Sequence, residues 1–281
     1  MKDVRLDRAI TLHLGGPIRR LLSGKRNVRI PILMYHAVQE GQSDPRPYYE
    51  VNVSPAIFAS QMKQLRNAGY RAVSLEQALQ ALDGGTADEK IVVITFDDGF
   101  QDFYKTAFPI LADCQFTATI FLMAGYMEEP GKTFNGKAVL TWNEVRELHS
   151  HGIRFGSHTV SHPQLRTLEF KQVEEEVGRS KKVIEDRIGG AVRSFSYPYA
   201  FPEEDRQFTR RLKDTLVSCG YENGVTTILG TANSCSERFF LPRLPVNRWD
   251  DCQFFQAKLD GAYDWLHSLQ FAAKVMQSKG A

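Results

Sequence analysis

From residue 30 onward, short apolar runs alternate with segments of helical periodicity. Ile30–Tyr35 is an apolar run that ends at His36. Ser54-Pro55 opens a helix, with Ser as N-cap and Pro at the first helical position. Phe58, Met62 and Leu65 give that helix an apolar stripe, and Gly69 stops it. Arg71–Val73 reads as a short strand, and Ser74-Leu75-Glu76-Gln77 as a capping box opening a helix to Leu82. Ile91–Phe96 is a buried strand by its length and β-branching. A helix around Tyr104–Asp113 and a strand at Thr117–Leu122 follow, and the Gly-rich, polar stretch Ala124–Lys137 reads as loop. Thr141-Trp142-Asn143-Glu144 is a second capping box, whose helix runs to about Ser150. After a strand at Ile153–Phe155, residues Val173, Val177, Ile184 and Ile188 line one face of a long helix that Gly189 ends. Ser194–Tyr197 is a strand, Asp205–Ser218 a helix, and Gly224–Thr227 and Phe239–Val246 the last strands before a C-terminal tail.

Strands alternating with helices imply a mainly parallel sheet and an α/β fold. A length of 281 residues, without repeat or linker, suits one large domain over 30–281 behind a basic arm at 1–29. One coincidence of position matters. His36, Asp97, Asp98, His158 and Tyr199 each lie at or just beyond the C-terminal end of a predicted strand, the two aspartates sharing one. In a parallel barrel those ends converge on a single face, where active sites are built.

Thr95-Phe96-Asp97-Asp98-Gly99 places two adjacent carboxylates directly behind an apolar strand. Desolvating two like charges side by side is costly, and a bound cation relieves the cost. Sixty residues on, Ser157-His158-Thr159-Val160-Ser161-His162 offers two histidines four apart. One carboxylate and two imidazoles make a three-ligand metal site with room for water. Asp98, His158 and His162 are therefore the expected ligands. Zn²⁺ is the first expectation, and Fe²⁺, Co²⁺, Ni²⁺ or Mn²⁺ fit the same donors. Asp97 is then free to act as general base on a water of lowered pKa. His36 is the expected general acid if the reaction breaks a C–N bond, since the leaving nitrogen needs a proton. Tyr199, after Tyr197-Pro198, is expected to offer its backbone N–H to an oxyanion or its ring to the cleft, with a core tyrosine as the bland reading. Arg243, inside the apolar run Leu241–Val246, either orients Asp97 or makes an unrelated salt bridge. Tyr126, Trp142 and Trp249 are either sugar-stacking surfaces or core.

Charge and cysteine content narrow the picture. The net charge of +2 is too weak to argue for nucleic acid. Residues 1–29 carry eight Lys/Arg against Asp3 and Asp7, which leaves the remainder acidic. Such a segment either touches an anionic membrane surface, or is a solvated arm or a first helix packed on the domain. No run approaches the ~20 apolar residues of a membrane span, and the N-terminus lacks an apolar signal core. A cytoplasmic place, with peripheral contact at the inner face of the membrane as its variant, is the expectation. Cys114, Cys219, Cys235 and Cys252 show neither scaffold nor zinc spacing and read as free thiols.

Taken together, Thr95–Gly99 and Ser157–His162 resemble the first two motifs of the polysaccharide deacetylases of carbohydrate esterase family 4. Pro31–His36, Tyr197-Pro198-Tyr199 and Leu241-Pro242-Arg243 resemble its subgroup of poly-β-1,6-N-acetylglucosamine deacetylases. The resemblance spans residues 30 to 250. It implies a deformed (β/α) barrel of about seven parallel strands, a divalent metal on one Asp and two His, and removal of N-acetyl groups from a glycan substrate. It also implies that the acid histidine comes from the N-terminal strand, as His36 does. Two departures stand out. Ser196 occupies the place of an arginine that pairs with the base in many members, and Arg243 is the proposed replacement. The family is mostly exported, whereas no export signal is visible, so nucleotide sugars, lipid-linked sugars or oligosaccharide precursors are alternatives to a polymer. An O-ester, cyclic amide or ureide hydrolase on the same site, or a glycan-binding pseudoenzyme, stay open. Oligomeric state is not legible.

Overall fold

In the computed structural model, residues 5–17, 28–41, 52–85, 90–127 and 131–279 are described. Seven strands close a parallel barrel: β1 (Ile32–Tyr35), β2 (Ile91–Phe96), β3 (Thr119–Leu122), β4 (Arg154–Ser157), β5 (Ser194–Ser196), β6 (Asn223–Leu229) and β7 (Leu241–Pro245). Each pairs in parallel with the next, and β7 pairs with β1 to close the ring. Arg71–Ala72 adds a parallel pairing to the first two residues of β2. The barrel is deformed where strands are short or irregular. β4 and β5 share a single register pair, Ser157 with Phe195, and the β6–β7 register shifts between Val225 and Leu229.

Helices surround the strands: α1 (Leu6–Ile10), α2 (Pro55–Asn67), α3 (Leu75–Gly84), α4 (Phe108–Asp113), α5 (Trp142–Ser150), α6 (Phe170–Ile188), α7 (Arg206–Ser218), α8 (Cys252–Leu259) and α9 (Leu266–Lys279). Their starts follow local chemistry. Ser74 with Gln77 and Thr141 with Glu144 form reciprocal capping boxes, and Gly189 closes α6 in the left-handed conformation. Every residue of β2 is buried. Beneath its end, Tyr35, Phe58, Phe96 and Phe103 pack edge-to-face or stacked, with centroids 4.8–5.8 Å apart. Burying one such ring stabilises by roughly 1.5–3 kcal/mol, so this cluster is a rigid floor for the site. At Gly156 in β4, a Cβ would lie 2.5 Å from the Phe121 ring and 2.8 Å from the Ser194 carbonyl oxygen, so only glycine lets the strands approach.

Three segments differ from the sequence-based expectation. The helix expected at Tyr104–Asp113 begins as a π-turn, Phe103–Ala107, because Pro109 has no N–H for the carbonyl four residues back. Within the expected loop Ala124–Lys137 stands a hairpin, Thr133–Phe134 against Lys137–Ala138. Asn135 and Gly136, both at positive φ, form its turn. The C-terminal tail folds as α8 and α9, with the Asp251 side chain capping α8. Residues 5–17 of the basic arm form a helix packed on that tail, the first helix that is one of the arm's expected readings. Asp7 and Thr11 are buried there, accepting hydrogen bonds from Tyr263 and Trp265 at 3.3 and 3.0 Å. The arm's other basic positions, Lys2, Arg19, Arg20, Lys25 and Arg26, lie outside the described residues. Among the described residues no helix is long and apolar enough to cross a membrane.

Candidate active site

The site begins where β1 and β2 end together. Asp97 N–H donates to Tyr35 O (3.0 Å) and Thr95 Oγ1 to Leu33 O (2.7 Å), which fixes the last residues of β2 against β1. The chain then reverses, with Asp98 at φ 70° and Gly99 at φ 64°. The reversal sends neighbouring carboxylates to different partners.

Asp98 meets the histidine loop that follows β4. Its Oδ1 lies 3.5 Å from His158 Nε2 and 3.4 Å from His162 Nε2. His158 N–H donates to Leu122 O (2.8 Å), continuing the β3–β4 register. Its Nδ1 bonds the Ser196 carbonyl at 2.8 Å, which leaves Nε2 with its lone pair toward Asp98. Glu176 of α6 holds the loop from outside. Its carboxylate accepts from Val160 N–H, Ser161 N–H and Ser161 Oγ at 2.8, 2.9 and 2.7 Å. Thr159 and His162 sit at φ 70° and 57°, a region that costs a non-glycine residue about 1–3 kcal/mol. The Glu176 bonds, with His162 N–H donating to Thr159 Oγ1 (3.0 Å), offset that strain.

These donors fit a divalent cation. Among the described residues, Asp98, His158 and His162 are the group whose ligand atoms all lie within 4.8 Å of one another. Asp98 Oδ1 is buried without a hydrogen-bond partner. Burial first, and the Asp97 charge second, push the Asp98 carboxyl up to about 8. Burial lowers His158 to about 4 and His162 to about 3, so both imidazoles are neutral, as ligands must be. A buried acid with an orphaned oxygen beside two neutral imidazoles is the electrostatic situation that a cation resolves.

Asp97 turns the other way, onto Arg243 of β7. Arg243 Nη1 donates to Oδ1 (2.9 Å) and Nη2 to Oδ2 (2.7 Å), a two-point clamp with both side chains buried. Ser196 Oγ donates to Oδ1 at 3.1 Å. Arg243 is itself held by Thr226 O (2.8 Å) and Thr95 Oγ1 (3.2 Å). Burial opposes ionisation of Asp97, but the Arg243 guanidinium prevails and holds the carboxyl well below the usual carboxylate range. His36, just past β1, places Nε2 4.0 Å from Asp97 Oδ2 and keeps 22% of its side chain exposed. Burial lowers its pKa to about 4, the Asp97 charge opposing and Arg243 assisting.

Tyr199 follows β5 at φ 57°, 48% exposed, with its ring tilted on His162 at 4.6 Å between centroids. Among the described residues its N–H has no protein acceptor. The other aromatic candidates lie further off. Trp142 is buried, and Trp249 is 43% exposed beside Arg248. Tyr126 packs on Phe134, which packs on His162 at 4.9 Å. Sequence reasoning missed Phe134, though Asn135-Gly136 carries the hairpin signal that places it. It missed Glu176, which nothing distinguishes from its acidic neighbours on α6. It also missed Lys137, which donates to Asn52 Oδ1 at 2.5 Å and whose charge reaches both His36 and Asp98.

The sequence pattern of the polysaccharide deacetylase family matches residues 84–224, half of the chain, including Asp97, Asp98, His158 and His162. The chain belongs to the polysaccharide deacetylase family. A Bacillus subtilis protein described as a candidate polysaccharide deacetylase, YxkH, is 31% identical over 224 residues, which are 79% of this chain and 73% of that one. The Escherichia coli K12 poly-β-1,6-N-acetyl-D-glucosamine N-deacetylase is 34% identical over 137 residues, 45% of this chain but only 20% of that protein. The Streptococcus pyogenes deacetylase PplD, solved in complex with acetate, superposes with a TM-score of 0.72 at 26% identity, covering 83% of this chain and 99% of that one. The deacetylase described here is thus a carbohydrate-directed hydrolase on a seven-stranded barrel. Its family depends on a metal, and the Asp98, His158 and His162 donors are where one fits.

Proposed function

We propose that this deacetylase removes N-acetyl groups from an N-acetylated glycan, with Asp97 as base and His36 as acid. The observation that carries the reading is the division of labour between two adjacent carboxylates. Asp98 is turned to two histidines with an orphaned oxygen, and Asp97 is clamped by Arg243 and left unligated. A divalent ion, Zn²⁺ first, would supply Lewis-acid polarisation of the acetyl carbonyl and acidify a water.

The chain's own groups then move the protons. Asp97 Oδ2 takes the proton released as water attacks. Arg243 makes Asp97 a weak resting place for it, and His36, at about 4, is the more basic of the two. His36 Nε2, 4.0 Å from Asp97 Oδ2, is the group positioned to receive that proton through one water. His36 is neutral at neutral pH, so it cannot start as the acid; it becomes one by this transfer. It then protonates the amine as the C–N bond breaks and acetate leaves. The Tyr199 N–H is placed in the role of oxyanion donor, and its strained φ supports that reading. The acetate bound in the PplD structure and the substrate in the name of the Escherichia coli relative support an N-acetylhexosamine polymer or oligomer.

The test is acetate release by the zinc-loaded protein from β-1,6- and β-1,4-linked N-acetylglucosamine oligomers. His36→Ala should lose on the order of 10²–10⁴ in turnover with metal retained. No acetate from any oligomer, with metal bound, would overturn the proposal. An O-ester leaves as an alcohol and needs less help from an acid, so a mild His36→Ala effect would point to ester cleavage.

A further inference from the structure

Strand β6 carries an irregularity that the chemistry above does not use. Val225 pairs with Leu241 and Leu229 with Arg243, so β6 runs four residues while β7 runs two. A strand that outruns its partner leaves backbone groups off the ladder, and they must be satisfied elsewhere. Side chains supply the partners. Arg243 Nε donates to Thr226 O at 2.8 Å, and Ile228 N–H donates to Thr226 Oγ1 at 3.1 Å. Two further groups go to one residue outside the barrel. Gln270 of α9 donates from Nε2 to Thr227 O at 2.8 Å and accepts at Oε1 from Leu229 N–H at 3.0 Å. Its side-chain amide takes the place of a strand edge.

Thr227 passes this hold to the active site. Its Oγ1 donates to Tyr199 O at 3.2 Å and accepts from Phe201 N–H at 2.9 Å. These two bonds bracket a turn whose first residue, Tyr199, sits at φ 57°. A non-glycine residue keeps that conformation only where its surroundings over-determine it. Helix α9 grips the same loop again, three residues before Gln270 and four after it. His267 Nε2 lies 2.8 Å from Glu203 Oε2, and Lys274 Nζ donates to Glu203 Oε1 at 2.9 Å. Residues spaced in this way share one face of a helix. That face is polar and turned to the barrel, whereas Leu269, Phe271 and Met276 are exposed. An ordinary surface helix buries its apolar stripe; α9 is seated by polar bonds to β6 and to the loop that carries Tyr199.

We infer that Gln270 is a positioning residue for the deacetylation, holding the Tyr199 N–H in place through Thr227. The inference rests on the oxyanion role proposed for Tyr199 and adds the element that aims it. Without the Gln270 amide, Thr227 loses its anchor, the turn relaxes from its strained φ, and the N–H moves off the developing oxyanion. The C-terminal helix thereby governs the rate without touching the reacting atoms.

The experiment compares the zinc-loaded full chain with its Gln270→Ala, Thr227→Val and Thr227→Ser variants. On N-acetylglucosamine oligomers, kcat should fall about tenfold in Gln270→Ala and Thr227→Val at unchanged KM, since the misplaced contact is one made in the transition state. Thr227→Ser, which keeps the hydroxyl, should recover most of the rate. On N-trifluoroacetyl oligomers, whose fluorines themselves stabilise the oxyanion, the deficit should shrink to under about threefold. Hydrogen exchange at the Phe201 amide reads the turn without turnover, and it should quicken about tenfold in Gln270→Ala. Wild-type kcat in Gln270→Ala, equal deficits on the two substrates, or unchanged Phe201 exchange would overturn the inference. Turnover of neither substrate by wild type would sink the proposed reaction instead, and the Phe201 exchange would still decide whether Gln270 holds the turn.

Discussion

Arg243 grips Asp97 by both carboxylate oxygens, at 2.9 and 2.7 Å, from the strand on the far side of β1. Neither side chain is left to water, so the pair has no solvent to fall back on. Breaking such a buried pair by removing one partner costs about 3–5 kcal/mol. Arg243→Gln should therefore lower the melting temperature and turnover together, and Arg243→Lys, which keeps the charge, should recover part of both. The pH profile separates orientation from mere stability. Without Arg243 the Asp97 carboxyl rises toward its ordinary value, and the acid limb of kcat/KM should shift upward. An unshifted limb in a folded Arg243→Gln protein would contradict the clamp's role.

Metal uptake should release about one proton per ion near pH 6.5–7. The source is Asp98, held protonated to about 8, because His158 and His162 are already neutral there. Calorimetry in buffers of different ionisation enthalpy counts the protons, and Asp98→Asn should abolish both release and tight binding. Release of two or three protons would contradict this assignment.

The same shift sets stability against pH in the metal-free protein. Asp98 has its folded pKa raised, so the folded state keeps a proton that the unfolded state has lost, and stability falls as pH rises to about 8. The lowered pKa values of His36, His158 and His162 act oppositely, but only below the ordinary histidine value near ~6.5. Of these four groups, only Asp98 changes protonation in the folded state between pH 6.5 and 8. The metal-free melting temperature should decline across that window, and zinc should remove the decline. A flat metal-free profile there would count against the buried, unpartnered Asp98.

How much of this was legible in the sequence follows from how far each partner lies along the chain. Asp97, Asp98, His158, His162 and His36 stand at strand ends, and a parallel barrel gathers strand ends on one face whatever their spacing. Their residue types then name the chemistry. Arg243 was visible as a charge inside an apolar run, though its partner, 146 positions away, was not fixed by any local pattern. Ser196 looked like a missing arginine. In space its hydroxyl bonds both Asp97 and Arg243, at 3.1 and 3.2 Å, and the cation that meets Asp97 stands on β7. Glu176 was illegible, because a helix's polar face gives no sign of which carboxylate will meet two loop N–H groups.

Glu176 carries a prediction of its own. Charge-assisted hydrogen bonds contribute about 1.5–3 kcal/mol each, and outer-sphere supports typically change metal affinity 10–100-fold. Glu176→Ala should weaken zinc binding by that order without touching a ligand, as read by chelator competition. An unchanged affinity would mean that the histidine loop holds its strained φ values by itself.

The most direct test of the central claim is metal content and acetate release measured on the same preparations of wild type and Asp97→Asn. One divalent ion per chain in both proteins, with acetate released from N-acetylglucosamine oligomers by wild type alone, is the predicted result. Loss of the ion in Asp97→Asn, or deacetylation by that variant at the wild-type rate, would contradict the division of the two neighbouring carboxylates into ligand and base.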